Sequence, residues 1–132
     1  MEYQKKFRRW ADFTGMDVDL GRELVLITPD EEEIARRFSE DITFGTGGIR
    51  GRMGVGTALI NIYTVRKATA GLARYLINNV NNDQQDEGRP SVVIAYDTRN
   101  NSDRFTQETA AVLTACGIKT WIFKEQIGRA HV

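Results

Sequence analysis

Residues 91–123 read SVVIAYDTRNNSDRFTQETAAVLTACGIKTWIF, and this stretch decides the fold class. Ser91 to Tyr96 is a compact apolar run, carried by Val92, Val93, Ile94 and Ala95, which suits a strand buried on both faces. Asp97 to Asn101 makes the turn after it. Ser102 or Asp103 then caps a helix running to about Cys116, and Gly117 occupies the stop position. Ile118 to Phe123 is a second strand. Strand, helix and strand in this order form a βαβ unit, which is expected to be parallel and right-handed.

Upstream of the unit, Asn81 to Pro90 is polar, contains Gly88 and Pro90, and reads as a surface loop. Before it, Tyr63 to Val80 reads as a long helix. Val65, Ala68, Leu72 and Leu76 make its apolar stripe, Thr69 and Ile77 lie at the margin, and Lys67 and Arg74 face the other way. Further back, Ile42 to Phe44 is a candidate short strand. The next segment, residues 45–57, holds six glycines, which argues for an irregular, tightly turned backbone.

The first 40 residues are helical in pattern. Tyr3, Phe7 and Trp10 fall on one face of a helix over Met1 to Phe13. Leu20, Leu24 and Ile27 line one side of a second helix, Val18 to Ile27. Asp30 can cap a third, with Glu33 closing a capping box and Glu31, Glu32 and Glu33 favoured by the helix dipole. The fold class is therefore α/β: layered helices on a mixed, largely parallel sheet, with a helical N-terminal extension over 1–40 and the domain proper over 41–126.

Composition excludes several classes of function. The 132 residues suit one ordinary domain, and 41% hydrophobic with 27% charged suits a water-soluble one. Eighteen Lys plus Arg balance eighteen Asp plus Glu, so no net basic field draws the chain to nucleic acid or an anionic membrane. No apolar run approaches the roughly 20 residues of a membrane span. The charged stretch Met1 to Trp10 carries no secretory signal. One cysteine, Cys116, allows no internal disulfide and fits a reducing cytosol, so the expected location is cytoplasmic.

The glycine segment is the strongest chemical signal. Glycines let backbone N–H groups cradle an anion, and Arg50 and Arg52 supply guanidinium groups suited to phosphate. It is not a Walker A loop, because Gly51 to Gly56 is followed by Thr57 and Ala58 with no Lys. It is not a dinucleotide fingerprint either, because Gly45 and Gly47 are followed by Arg50 in the third place. The residues alone leave two readings open, a strained turn and a phosphate cradle. Asp97 to Ser102 lies past the end of a buried strand, where ligands collect in open α/β sheets. The simpler reading there is local: Asp97 orders the turn, Arg99 pairs with it and Ser102 caps the helix. Cys116 reads as a core residue. His131, the only histidine, lies one residue from the end, which gives a general-base or metal role little support, and no metal-ligand set clusters in the sequence.

Three stretches in order resemble one family. Phe44 to Gly51 (FGTGGIRG) is similar to the N-terminal signature of the α-D-phosphohexomutases. Asn61 to Ala73 (NIYTVRKATAGLA) is similar to the helix after that signature, in the form of the phosphoglucomutase and phosphopentomutase branch. Val92 to Arg99, with Ser102 and Phe105, is similar to the family's D-x-R-x-x-S-x-x-F turn. Residues 1–40 also resemble the leader of this branch.

The resemblance implies domain I of a four-domain phosphosugar mutase that uses Mg²⁺ and a sugar bisphosphate activator. A phosphoserine would pass its phosphate to the sugar, giving a bisphosphate that turns over and returns its other phosphate. Arg50, Thr46, Gly47 and Gly48 would lie near phosphate, with Arg99 supporting them. The partners implied are a phosphosugar substrate and the remaining domains of the same polypeptide. The T-A-S-H-N-P loop of the catalytic serine, the D-x-D-x-D metal loop and the sugar loops do not occur in this sequence, so the segment is expected to be inactive alone. It is also expected to leave apolar surface open, with low solubility or self-association. Residues 127–132 (IGRAHV) do not resemble the family and match a translation of the sequencing-adapter stretch atcggaagagcacacgtc; they are expected to be a non-native tail. The alternative class is a stand-alone anion-binding or regulatory α/β module.

Overall fold

A computed structural model of the chain describes residues 2–43, 48, 49, 51–79, 90–97 and 101–123. The chain divides into two compact units, Met1–Thr64 and Val65–Val132. The expected loop over 81–89 and the expected tail over 127–132 lie outside the described residues.

The first unit is built on three short helices, α1 (Glu2–Ala11), α2 (Val18–Ile27) and α3 (Glu31–Phe38). Their expected apolar faces meet. Leu24, Ile27, Ile34, Phe38 and Val55 form the buried core, and Tyr3, Phe7, Trp10, Met16 and Leu20 pack against it. Phe38 is wholly buried, with the rings of Phe7 and Trp10 edge-on to it at 5.6 and 5.5 Å. Such edge-to-face pairs set the positive rim of one ring against the negative face of the other.

The expected Asp30 cap forms, and Asp17, which the sequence did not single out, caps α2. Asp17 accepts from the Leu20 N–H at 3.1 Å, and Asp30 from the Glu33 N–H at 3.1 Å. The reciprocal half of the expected capping box does not form. The Asp30 N–H donates instead to the Ile27 carbonyl at 2.8 Å, and the Glu33 carboxylate is drawn to Arg36 and Arg37. A charged partner outcompetes a neutral backbone donor for that carboxylate. The expected strand over 42–44 is not one where it is described: Ile42 and Thr43 have no regular structure, and Phe44 lies outside the described residues.

The long helix α4 (Ile62–Asn79) runs from the first unit into the second. Its buried face differs from the expected stripe. Thr69 and Ala73 are buried and Leu76 is half-buried, whereas Leu72 is exposed. Spacings of four and three still hold, but the stripe is rotated toward smaller residues. Thr69 can lie inside because its hydroxyl donates to the Val65 carbonyl at 2.8 Å.

The second unit contains the expected strand–helix–strand: β1 (Ser91–Ile94), α5 (Ser102–Ala115) and β2 (Lys119–Ile122). The strands pair in parallel, with Val92 opposite Thr120 and Val93 opposite Trp121. Beneath them Ala73, Leu113 and Ile118 form a second core, joined by Leu76, Val92 and Ile94. The α/β class holds, with five helices and this parallel pair among the described residues. β1 is shorter than expected and is not buried on both faces, since Val93 is 60% exposed.

Helix α5 starts and stops by different means. Its N-cap is Asn101, in the left-handed region at φ 68°, and not Ser102 or Asp103. Ser102 is instead engaged with Asp97. At the other end Gly117, at φ +81°, closes a Schellman turn: its N–H donates to Thr114 at 3.0 Å and the Ile118 N–H to Leu113 at 3.0 Å. Leu113 and Ile118 then touch in the core, the apolar contact that accompanies this turn. Cys116, at the C-cap, is exposed rather than core, because the turn lifts it off the packed face.

Leu113 is fully buried and Val25 is 71% exposed. Leu113→Ala is expected to lower stability by about 2–5 kcal/mol, and Val25→Ala to change it by no more than about 0.5 kcal/mol. Urea unfolding of the two variants checks the contrast.

Candidate functional site

Of the residues singled out for phosphate, Thr46, Gly47, Arg50 and Arg99 lie outside the described residues. Gly48 is described; it is half-buried, at φ +109°, with open space where a side chain would start. The Asp97 turn is closed by the Ser102 hydroxyl, which donates to the Asp97 carboxylate at 2.8 Å. This differs from the expected local roles: the partner expected for Asp97, Arg99, lies outside the described residues, and Asn101 takes the cap position expected of Ser102.

The C-terminal flank of the glycine segment is held in detail. Met53 and Ile60 form a parallel bridge, with the Ile60 N–H on the Arg52 carbonyl at 2.8 Å and the Gly54 N–H on the Ile60 carbonyl at 3.1 Å. Val55, between them, is fully buried in the first core. Gly56 follows at φ +135° against the backbone of α3. A Cβ there would sit 2.6 Å from the Arg37 carbonyl oxygen, so only glycine fits without displacing the helix. The Ala58 N–H bonds that same carbonyl at 3.0 Å. On the entry side, the Ile42 N–H donates to the Thr57 carbonyl at 2.8 Å, and the Thr57 hydroxyl to the Glu40 carbonyl at 2.7 Å.

Two side chains fasten this arrangement, and neither stood out in the sequence as functional. The first is Asn61, which is 4% exposed. Its Oδ1 accepts from the Tyr63 and Thr64 N–H groups, both at 3.0 Å, capping α4. Its Nδ2 donates to the Gly54 carbonyl at 2.8 Å and the Gly56 carbonyl at 3.1 Å. An amide has two donors and a carbonyl with two lone pairs, and all four are used. Thr64 reciprocates, its Oγ1 accepting from the Asn61 N–H at 2.9 Å. The signal was present: Asn61 followed three residues later by Thr64 ahead of a helix is a variant of the capping box.

The second is Arg37 of α3. Its Nε donates to Glu33 at 2.8 Å, and its Nη1 to Glu23 of α2 at 2.5 Å and to the Val55 carbonyl at 3.2 Å. Burial works against its charge, but the hydrogen bonds to Glu23 and Glu33 outweigh burial and hold its pKa above the ordinary arginine value. The hydrogen bond from Arg37 in turn lowers the Glu33 pKa; burial opposes it, and attraction to Arg36, Arg37 and the exposed Arg52 adds to the lowering. The i to i+4 spacing of Glu33 and Arg37 was readable; the link to Glu23 on another helix was not. Among the described residues no three His, Cys, Asp or Glu side chains cluster to hold a metal ion, and no helix is long and apolar enough to cross a membrane.

A sequence model described as "Phosphoglucomutase/phosphomannomutase, alpha/beta/alpha domain I" matches residues 41–128. The chain therefore belongs to the phosphoglucomutase/phosphomannomutase family, of which it carries domain I. Among curated relatives, the phosphoglucomutase of Staphylococcus saprophyticus is 46% identical over 91 residues, 69% of this chain and 15% of that protein. The phosphoglucomutase of Staphylococcus haemolyticus is 39% identical over 85 residues, 64% of this chain and 14% of that protein. The phosphoglucomutase of Staphylococcus epidermidis is 37% identical over 91 residues, again 69% and 15%. The chain thus spans about 15% of the length of the relatives it matches. No solved structure matches it significantly.

Asn61→Ala is expected to cost about 2–4 kcal/mol, since it removes a helix cap and leaves two carbonyls without their donor. Asn61→Asp is expected to do no better, because its second oxygen would face those carbonyls. Urea midpoints measure both. A pH series tests the Arg37 network separately. The folded Glu33 pKa lies below the ordinary 4.5, so its stabilising effect is complete above 4.5 and is lost as pH falls through the lower folded value. The stability gap between wild type and Glu33→Gln should therefore narrow as pH falls below the ordinary 4.5.

Proposed function

We propose that this chain is the first domain of a phosphosugar mutase of the phosphoglucomutase kind, and that its glycine loop faces the phosphate being transferred. The observation that carries the reading is the pinned flank. Asn61 and Arg37 fix the backbone on the C-terminal side of the loop within the segment the family match covers. A backbone flank that is already fixed needs no reorganisation when charge develops, which is what a preorganised site for a transferring phosphoryl group requires.

In this reading the backbone N–H groups of Thr46, Gly47 and Gly48 and the Arg50 guanidinium meet the phosphate, and Arg99 supports them from the Asp97 turn. A serine elsewhere in the polypeptide carries the phosphate. The sugar hydroxyl attacks phosphorus, the serine P–O bond breaks, and a sugar bisphosphate forms. After the sugar turns over, its other phosphate returns to the serine, so phosphate moves between positions 1 and 6, or 1 and 5 in a pentose. A sugar bisphosphate would recharge a serine that has lost its phosphate. Mg²⁺ would neutralise phosphate charge in such a protein; the described residues offer it no clustered ligands. The single cysteine suits a cytoplasmic setting.

In the full-length protein carrying this domain, Arg50→Ala should lower kcat/KM for glucose 1-phosphate by about 10²-fold or more, with Arg50→Lys intermediate. The 132-residue chain alone should show no interconversion of glucose 1-phosphate and glucose 6-phosphate. Near-normal turnover by Arg50→Ala, or turnover by the isolated chain, would overturn the assignment. A coupled dehydrogenase assay measures each.

A further inference from the structure

A cavity of about 220 Å³ opens on the first unit, lined by Arg9, Trp10, Phe13, Met16 and Tyr63. Three aromatic rings build its walls. Tyr63 stands edge-on to Trp10, 5.5 Å between centroids, and edge-on to Phe13 at 5.9 Å. Each wall is held in place by contacts of its own. Tyr63 is fixed at both ends: its N–H donates to Asn61 Oδ1 at 3.0 Å, and its hydroxyl oxygen accepts from the Asp17 N–H at 2.8 Å. Trp10 is braced by the buried ring of Phe38. The Phe13 N–H donates to the Trp10 carbonyl at 3.2 Å and keeps Phe13 beside the end of α1. Phe13 is nonetheless 51% exposed. A preformed concave apolar site with a single polar group is the usual form of a small-ligand pocket.

Size and charge narrow the ligand. A dry cavity of about 150 Å³ holds benzene, whereas drug-sized ligands occupy about 300 Å³ or more. This cavity therefore suits one ring with a short arm, and rings set edge-on to one another favour an aromatic guest. Arg9 is the one charged residue of the lining. It is exposed and makes no ion pair among the described residues, not even with Asp12 three positions on. Its guanidinium repels a cation, so the rings do not form an ammonium cage. It suits a carboxylate, which it can grip with two parallel hydrogen bonds. A phosphate monoester, with a charge of about −1.5 to −2 at neutral pH, exceeds what one guanidinium balances.

We propose that this cavity is a binding site for a single-ring aromatic carboxylate, with the ring among Trp10, Phe13 and Tyr63 and the carboxylate on Arg9. The inference goes beyond the mutase reading and needs no phosphate chemistry.

Saturation-transfer NMR of 3-phenylpropionate, titrated against the full-length protein and against the 132-residue chain, tests it. Both should bind the probe saturably, with a Kd of about 1 mM or below. The neutral amide of the probe should bind about threefold to fivefold more weakly, and 2-phenylethylammonium at least tenfold more weakly. Arg9→Gln should abolish the preference for the carboxylate over the amide while leaving amide binding in place. Phe13→Ala, at a half-exposed position that the fold does not need, should weaken every aromatic probe at least fivefold. Trp121→Ala removes an exposed aromatic of the other unit and should change nothing. No saturable binding below about 10 mM overturns the proposal, as does equal affinity for the carboxylate, the amide and the ammonium. Loss of binding on Trp121→Ala also overturns it, by placing the probe elsewhere. Binding by the chain but not by the full-length protein makes the rest of the polypeptide the occupant and overturns it as well. Mutase activity enters none of these readouts, so the proposal and the mutase reading fail separately.

Discussion

The first unit depends on one buried amide. Asn61 is the last residue before α4, and it must satisfy helix N–H groups on one side and loop carbonyls on the other. Those demands are opposite in sign, donor against acceptor, and only asparagine or glutamine carries both on one planar group. Glutamine is one methylene too long for an N-cap. The glycine segment and the start of α4 are therefore tied through a single side chain whose capacity is exhausted. Any shift of the loop flank must break either a cap or a carbonyl contact, which is what makes the flank a fixed platform.

Arg37 complements that tie by charge. It sits where α2, α3 and the buried Val55 meet, and it brings two carboxylates and a carbonyl to one guanidinium. A half-buried ion group of this kind is a modest source of net stability, since desolvation and solvent screening offset much of the attraction. Its value here is geometric. The planar fork fixes α2 against α3, and the Arg37 carbonyl presses on Gly56 so closely that the loop has one way to pass.

Features set by local chemistry were legible in the sequence. The helix start at Asp30 followed from a short acidic side chain ahead of apolar periodicity, and the stop at Gly117 from the residue type that most readily accepts a left-handed backbone. The βαβ order was likewise readable from run length and punctuation. What failed depended on long-range competition. Glu33 abandoned its capping role for two arginines, Ser102 turned to Asp97, and α4 rotated to bury Ala73 in place of Leu72. The apolar run of β1 predicted two covered faces where this unit covers one. Of the site, the glycine segment announced itself by composition, whereas Asn61 and Arg37 did not. Their importance lies in partners 5 to 18 residues away.

The two tryptophans of the chain fall one in each unit, in unlike surroundings. Trp10 is wedged edge-on between Phe38 and Tyr63, 5.5 Å from each. Trp121 is about half exposed, beneath the Lys119 ammonium group. An indole in an apolar cage emits at shorter wavelength than one in water, and an anionic quencher reaches only the latter. The intrinsic fluorescence of this chain is thus a two-colour signal, in which the blue edge reports the aromatic cluster of the first unit and the red edge reports the exposed side of the strand pair.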